Sequence, residues 1–289
     1  MAPENRGKKT RKFSMLRLYH DHNAVCCQKV EIVLAEKSVE FLSEIVSLFQ
    51  SEQYSPEYLK INPFGIVPTL VHDQHRIMES TVICEYVDET FPGPNLMPSS
   101  SIERAKARIW TKRVDEQIHG ACSVLSFCAM FRDRMLKMPE EEREKRYRNV
   151  GDPTRDEMYR SSVEGGVASN IAYRAIAAYE LLVRDLESHL AVEGNWITGN
   201  AYTLAEVALT PYFARIEYLG LKNLWLAERK RVNSWWERIK TRKSFNNVFE
   251  QNIMKEDLQE MRASGEKIFD LVAIRREEFL SNLAKEYEV

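Results

Sequence analysis

Asn62-Pro63-Phe64-Gly65-Ile66-Val67-Pro68-Thr69-Leu70, followed after a short interval by Ile77-Met78-Glu79-Ser80-Thr81-Val82-Ile83-Cys84-Glu85-Tyr86, is the stretch on which the fold turns. Pro63 and Gly65 punctuate a loop that runs into a short strand. Val67 precedes a proline, which keeps it out of the helical region and extended. Pro68 cannot donate to a ladder hydrogen bond, so it is either the first residue of the strand or part of a cis turn. His72 to Arg76 is a polar turn between two apolar runs. At Glu79-Ser80 the period becomes helical, with Val82, Ile83 and Tyr86 on or near one face. A hairpin and helix with no chemistry satisfies this pattern. A cradle satisfies it too, with extended backbone at Val67 pairing with a peptide-like ligand and Ser80 at a helix start taking its carboxylate.

Upstream, Met15-Leu16-Arg17-Leu18-Tyr19 alternates as a short strand. The polar loop His20 to Val25 follows, and from Cys26 to Lys37 the pattern is helical, with Val30, Val33 and Leu34 inward. Cys26 and Cys27 therefore stand at a helix N-terminus, where free backbone N–H groups stabilise a thiolate. Two small buried residues opening a helix is the alternative. His20-x-His22 beside adjacent cysteines does not match a structural zinc spacing, so no metal is expected. The segment Val39 to Phe49 reads as a second strand, or as a helix around Ser43 to Phe49.

The chain has 289 residues and a formal net charge of −2, so no long-range field favours nucleic acid. No apolar run reaches membrane-spanning length. No long apolar stretch follows the basic N-terminus, so no signal peptide is expected. Five cysteines in no regular framework point to reduced thiols in a cytoplasm. Residues 1–14 are expected to be a disordered basic tail.

The cradle residues Val67, Pro68, Glu79 and Ser80 resemble the thioredoxin-like domain of the glutathione transferases. The resemblance covers about Met15 to Phe249. It implies an α/β N-terminal thioredoxin-like domain followed by an all-α helical domain. It also implies glutathione as co-substrate, a cis bond before Pro68, a Val67 backbone paired with the cysteinyl part, and Glu79-Ser80 at the γ-glutamyl end. Lys60 would approach the glycine carboxylate, or else is simply solvated. Within the family the run Glu79 to Tyr86 is similar to the bacterial β-aryl etherases of lignin breakdown. Cys26 instead matches the catalytic cysteine of the chlorohydroquinone reductive dehalogenases, with Cys27 in a serine's place. The serine or tyrosine common upstream in the family is absent. The etherase reading is preferred. A transferase-like subunit that binds another protein and has lost catalysis is a third reading. The family habit implies a homodimer, or a heterodimer of two related chains.

The domains expected are 15–90 for the glutathione-binding unit, 91–100 for a Pro-rich linker, 101–250 for the helical unit and 251–289 for a helical extension. The linker carries Phe91-Pro92-Gly93-Pro94 and Pro98, which end any helix. A helix is expected from Ser101, which can cap it, to about Leu136. Trp110 and Phe127 on it are the candidates for an apolar wall against an aromatic substrate. Pro139 to Tyr159 is a charged insertion, expected to be a solvated helix and loop, with a lid over the pocket or a partner contact as the alternative. One long helix is expected from Ser161 to Leu190, with Gly165-Gly166 marking a bend or a close contact. Thr203 with Glu206 makes a capping box before a buried helix, at whose edge Arg215 and Glu217 are expected to pair.

Overall fold

The structure, a computed structural model, describes residues 15–148 and 151–287. The basic segment 1–14, expected as a disordered tail, lies outside them.

The first domain runs β1 (Leu16–His20), α1 (Val25–Glu36), β2 (Leu42–Ile45), α2 (Pro56–Leu59), β3 (Thr69–His72), β4 (His75–Ile77) and α3 (Ser80–Thr90). The sheet order is β2-β1-β3-β4. β1 lies parallel to β2, which the crossover helix α1 requires, and antiparallel to β3; β3 and β4 form a tight hairpin. Leu18 and Leu70 face each other across the central pair and are fully buried. The segment 39–49 thus resolves as a strand, and Val30, Val33 and Leu34 point inward as expected. On α3 the buried face is Ile83, Cys84 and Val87, whereas Val82 is 55% exposed, against expectation.

In the second domain α4 (Ser101–Arg113), α5 (His119–Ser126) and α6 (Arg132–Leu136) form one continuous rod through wide π turns at Val114–Ile118 and Phe127–Phe131. The N-cap is Ser100 rather than Ser101, and its side chain makes no capping bond. The insertion folds as α7 (Glu140–Arg148) and α8 (Pro153–Arg160). The single helix expected from Ser161 to Leu190 is interrupted. A π turn at Ser161–Gly165 ends α8, Gly166 takes a φ of 55°, and Ser169 caps a new helix α9 (Asn170–Glu193) by accepting from the Ala172 N–H. Only glycine adopts that dihedral without a steric penalty, so the paired glycines break the helix rather than bend it.

Next come α10 (Leu204–Tyr218), α11 (Lys222–Leu226), α12 (Lys230–Lys240), α13 (Lys243–Phe245), α14 (Lys255–Glu266) and α15 (Phe269–Tyr287). The capping box is present at the start of α10, which is buried from Leu204 to Ile216. Glu206 accepts from the Thr203 N–H at 2.8 Å and also from the Ile197 N–H at 2.6 Å, so this buried carboxylate has fixed partners. The C-terminal extension docks on the core: Ile268 and Val272 are buried, and Arg276 Nε meets Glu180 Oε2 of α9 at 2.7 Å. Polar ties join the domains. Arg242 forks onto Glu36 with two bonds of 2.7 Å, and Ser244 donates to the same carboxylate at 2.5 Å. The linker is held by Lys37, whose Nζ donates to the Pro94 carbonyl at 3.0 Å and to Asp88 Oδ1 at 2.9 Å.

Candidate active site

The peptide bond Val67-Pro68 is cis. The loop carrying it is held from below by polar groups. Tyr58 Oη donates to the Ile66 carbonyl at 2.6 Å and lies 3.1 Å from Thr69 Oγ1. Asn62 is fully buried; its Nδ2 donates to the Ile66 carbonyl at 2.9 Å and to Thr69 Oγ1 at 3.0 Å, while its Oδ1 accepts from the Phe64 N–H at 3.0 Å. Tyr58 and Asn62 thereby pair the Ile66 carbonyl and the Phe64 N–H, as buried irregular backbone requires. The sequence reading passed over Tyr58 and Asn62 as scaffold. Their signal was a polar residue four positions before Ile66 and a tyrosine on the preceding helical turn.

Cys26 is the second residue of α1, and its Sγ donates to the Val67 carbonyl at 3.2 Å. Cys27 is fully buried beside it. The two thiols titrate in opposite directions. A hydrogen bond from Cys27 holds the Cys26 thiol below its ordinary range; burial opposes this, and the Lys29 ammonium adds to it. Burial pushes Cys27 well up. Cys26 is therefore the more acidic thiol of the pair, at the helix start where the sequence put it. All five cysteines are free.

Lys29 went unnoticed in the sequence. Its side chain is 1% exposed, and its Nζ reaches Thr81 Oγ1 on α3 at 2.8 Å and Asp115 Oδ1 in the second domain at 3.0 Å. Arg215 was expected to pair with Glu217. It instead turns inward, with Nη1 on Ser126 Oγ at 3.2 Å and Nη2 on the Asn23 carbonyl. Glu217 binds Lys222, Lys240 and the Trp236 indole instead. Arg215 on the buried helix α10 thus steadies the loop before Cys26 from across the domain boundary. Asp257 of α14 does the same through Asn23 Nδ2 at 3.0 Å. His119 Nδ1 lies 3.1 Å from Tyr212 Oη. Burial first, then Lys29, drives the His119 pKa down to about 4, so the ring is neutral at physiological pH.

The two loop histidines meet Glu31, not the cysteines. His20 Nδ1 is 2.8 Å from Glu31 Oε1, His22 Nδ1 is 3.4 Å from Oε2, and His20 Nε2 is 2.7 Å from Ser43 Oγ. The three could surround an ion by proximity alone, but each close atom already has a hydrogen-bond partner that ties the loop to α1 and β2.

Glu79 and Ser80 open α3 as expected. Glu79 is the N-cap, with φ 67°, a conformation that costs a non-glycine residue about 1–3 kcal/mol and persists where the surroundings impose it. Ser80 is buried, and its hydroxyl makes no hydrogen bond among the described residues. Glu79, Pro63, Phe64 and Ile66 form one side of a cleft of about 320 Å³. The opposite side comes from the insertion, through Gly151, Asp152 and Arg155.

The insertion is a correction to the sequence reading, because it is not simply solvated. Tyr147 is 1% exposed and packs with Met135 and Val163 in a small core of their own. Arg160 lies 4.7 Å over the Tyr147 ring and forks onto Glu144 at 2.5 and 3.0 Å. Phe127 stacks on Tyr159 of α8 with centroids 4.5 Å apart, so the ring proposed for a substrate wall anchors the insertion. Trp110 is 6% exposed and meets His189 of α9 edge-on at 5.2 Å; it fills the core between helices and offers no open face to a ligand. Lys60 is exposed, and it is the Lys60 carbonyl that is engaged, accepting from Arg76 Nη1 at 2.6 Å.

A four-stranded sheet with a cis-proline cradle at the start of an inner strand, joined to a helical domain, defines the class, and the chain belongs to the glutathione transferase family. The family model described as "Glutathione S-transferase, N-terminal domain" matches residues 25–90. Among individual proteins, the chain is 30% identical over 262 residues to Protein LigF of Sphingobium sp., covering 88% of this chain and 99% of that one. It is 27% identical over 239 residues to the tetrachloro-p-hydroquinone reductive dehalogenase of Sphingobium chlorophenolicum, covering 79% of this chain and 93% of that protein. The crystal structure of β-etherase LigF superimposes with a TM-score of 0.73 at 29% identity, over 82% of this chain and all of that one. Glutathione is the co-substrate of this family. Among the described residues no helix is long and apolar enough to cross a membrane.

Proposed function

We propose that the chain uses glutathione to cleave a β-aryl ether beside an aromatic ketone. The observation that carries the glutathione site is the hydrogen bond from Cys26 Sγ to the Val67 carbonyl, at the cis bond before Pro68. It puts the helix start within reach of the backbone that pairs with the cysteinyl part of glutathione. Val67 takes that part, Ser80 and the α3 N–H groups take the γ-glutamyl carboxylate, and Glu79 takes the amine. The glutathione sulfur lies near the start of α1, where the helix dipole and the buried Lys29 favour a thiolate. That thiolate attacks the carbon bearing the aryloxy group. A carbon–sulfur bond forms, the carbon–oxygen bond breaks, and the aryloxide leaves to take up a proton. The full-length likeness to a β-etherase supports this choice of substrate.

The depressed Cys26 thiol and the likeness to the hydroquinone dehalogenase favour a second reading. There the Cys26 thiolate attacks the sulfur of an aryl–glutathione thioether, the aromatic ring takes a proton as reduced product, and a Cys26–glutathione disulfide remains. A second glutathione releases Cys26 and leaves as glutathione disulfide. A partner-binding subunit without catalysis would show neither reaction. The chain acts as a dimer, with a copy of itself or with a related transferase, which light scattering of the chain expressed alone tests.

The deciding experiment assays Cys26→Ser, Cys27→Ser and the double variant. The substrates are a ketone carrying a β-aryloxy group and, separately, a chlorinated hydroquinone. Phenol release that survives in Cys26→Ser, with no protein–glutathione adduct by mass spectrometry, is the expected result. Loss of all turnover in Cys26→Ser, with a kinetically competent adduct on Cys26 and dehalogenation by the parent, would replace the etherase reading by the second.

A further inference from the structure

The cleft beside the cradle carries charges of both signs. One side has the Glu79 carboxylate at the start of α3; the other has the Arg155 guanidinium on α8 with the Asp152 carboxylate beside it. Its volume, about 320 Å³, lies at the lower end of the range of small-molecule sites, about 300–1,000 Å³. The rest of its lining is Pro63, Phe64, Ile66 and Gly151.

Arg155 differs from the other well-placed arginine of the insertion. Arg160 spends its fork on Glu144 and Asp156. Arg155 makes only a 3.6 Å approach from Nε to Asp152 Oδ2, with no side-chain hydrogen bond among the described residues. The four Nη–H donors of the fork are thus left without a side-chain partner at a residue that lines the cleft, and such a fork matches a carboxylate. Its element is firmly held. α8 is pinned by the Phe127–Tyr159 stack at 4.5 Å and by the Arg160–Glu144 fork, so the guanidinium is carried by a fixed backbone.

A carboxylate on one wall and a guanidinium on the other complement a zwitterionic α-amino acid. Glutathione has one such group, the free α-amine and α-carboxylate of its γ-glutamyl end. We propose that Arg155, supplied by the insertion, is a glutathione-binding residue that grips the γ-glutamyl α-carboxylate across the cleft from Glu79. The inference rests on the glutathione-binding reading above and extends that site to the second domain. The insertion then completes the co-substrate site, and Asp152 keeps the guanidinium oriented toward it.

Isothermal titration with two peptides tests this. One is glutathione. The other is 4-aminobutanoyl-cysteinyl-glycine, which keeps the amine, the thiol and the glycine but lacks the α-carboxylate. Arg155→Ala and Arg155→Met are expected to weaken glutathione about tenfold, as for loss of one charge-assisted fork, with Arg155→Lys in between. Neither is expected to change binding of the truncated peptide or the melting temperature. Equal losses for both peptides would overturn the assignment to the α-carboxylate. Parent-like glutathione affinity in both Arg155 variants, beside a weakened Ser80→Ala, would remove Arg155 and leave the cradle standing. No glutathione binding by the parent would overturn the cradle and this proposal together.

Discussion

The cradle loop 62–69 and the insertion 139–160 face each other across one cleft and are held by opposite means. Apart from Val67, which packs with Cys27, Val46 and Tyr58, the loop is fixed by buried hydrogen bonds among Tyr58, Asn62 and Thr69. The insertion is among the most charged parts of the chain, yet it is fixed chiefly by two aromatic rings, Tyr147 and Tyr159. Composition therefore misleads in both places. An irregular backbone stays rigid when its polar groups are all paired, and a charged helix stays down when one or two side chains reach a core.

The largest expected effect breaks the insertion. Tyr147→Ala removes a buried ring, and large-to-small changes of this kind cost about 3–5 kcal/mol. The loss is expected to be local, so hydrogen exchange should rise over 140–160 while the first-domain strands stay protected. Tyr147→Phe sharpens the point. The hydroxyl has no partner among the described residues, so its removal is expected to be neutral or stabilising by up to about 1 kcal/mol. A Phe variant as loose as the Ala variant would show that the hydroxyl, not the ring, holds the helix.

Next in size, Asn62→Ala strips the loop of three hydrogen bonds and is expected to cost about 2–4 kcal/mol in urea unfolding. Here the effect is expected to be global and accompanied by weaker glutathione binding. An intact melt with intact binding would mean that Tyr58 alone suffices beneath the turn.

Ser80→Ala is smaller in stability and larger in function. Its hydroxyl has no internal partner, so glutathione affinity is expected to fall about tenfold with little change in melting temperature. Lys29→Met then probes the floor of the site. The lysine cation lowers the Cys26 pKa, so its removal is expected to shift the pH profile of Cys26 alkylation upward, followed peptide by peptide by mass spectrometry. A profile that does not move would leave the hydrogen bonds from Cys27 and the helix-start backbone as the agents.

The smallest effect concerns the loop before Cys26. The hydrogen bond with Glu31 raises the His22 pKa above 6.5, with burial opposing it. The pair therefore contributes fully below about pH 6.5 and fades as pH rises through the elevated folded value. Because His22 is partly exposed, the contribution is less than about 1 kcal/mol. The melting-temperature gap between parent and His22→Ala is expected to be widest in mild acid and to close in alkali. A gap that widens toward alkaline pH would reverse the sign and reject the pairing.

Local chemistry was legible in the chain wherever neighbours in sequence interact. The prolines and glycine of 62–68, the period change at Glu79-Ser80, the Cys26 helix start and the Thr203–Glu206 box each involve residues a few positions apart, and each reads correctly from order alone. Long-range partners were not legible. Lys29 is a charged residue on a helix by sequence; only the approach of Asp115 lets it be buried. Arg215 has an acidic neighbour two positions away, yet on a helix residues two apart do not face each other, and its acceptors are Ser126 on α5 and the Asn23 carbonyl in the first domain. Trp110 and Phe127 are aromatic by sequence, but whether a ring lines a pocket or fills a core depends on what packs over it, here His189 and Tyr159. The sequence by itself determined the turn at 62–68, the starts of α1 and α3 and the capping box of α10, because turn, cap and periodicity preferences are local. The tertiary structure decided which charges are buried, which rings are core and which element closes the cleft, because burial is a property of the folded neighbourhood and not of the residue.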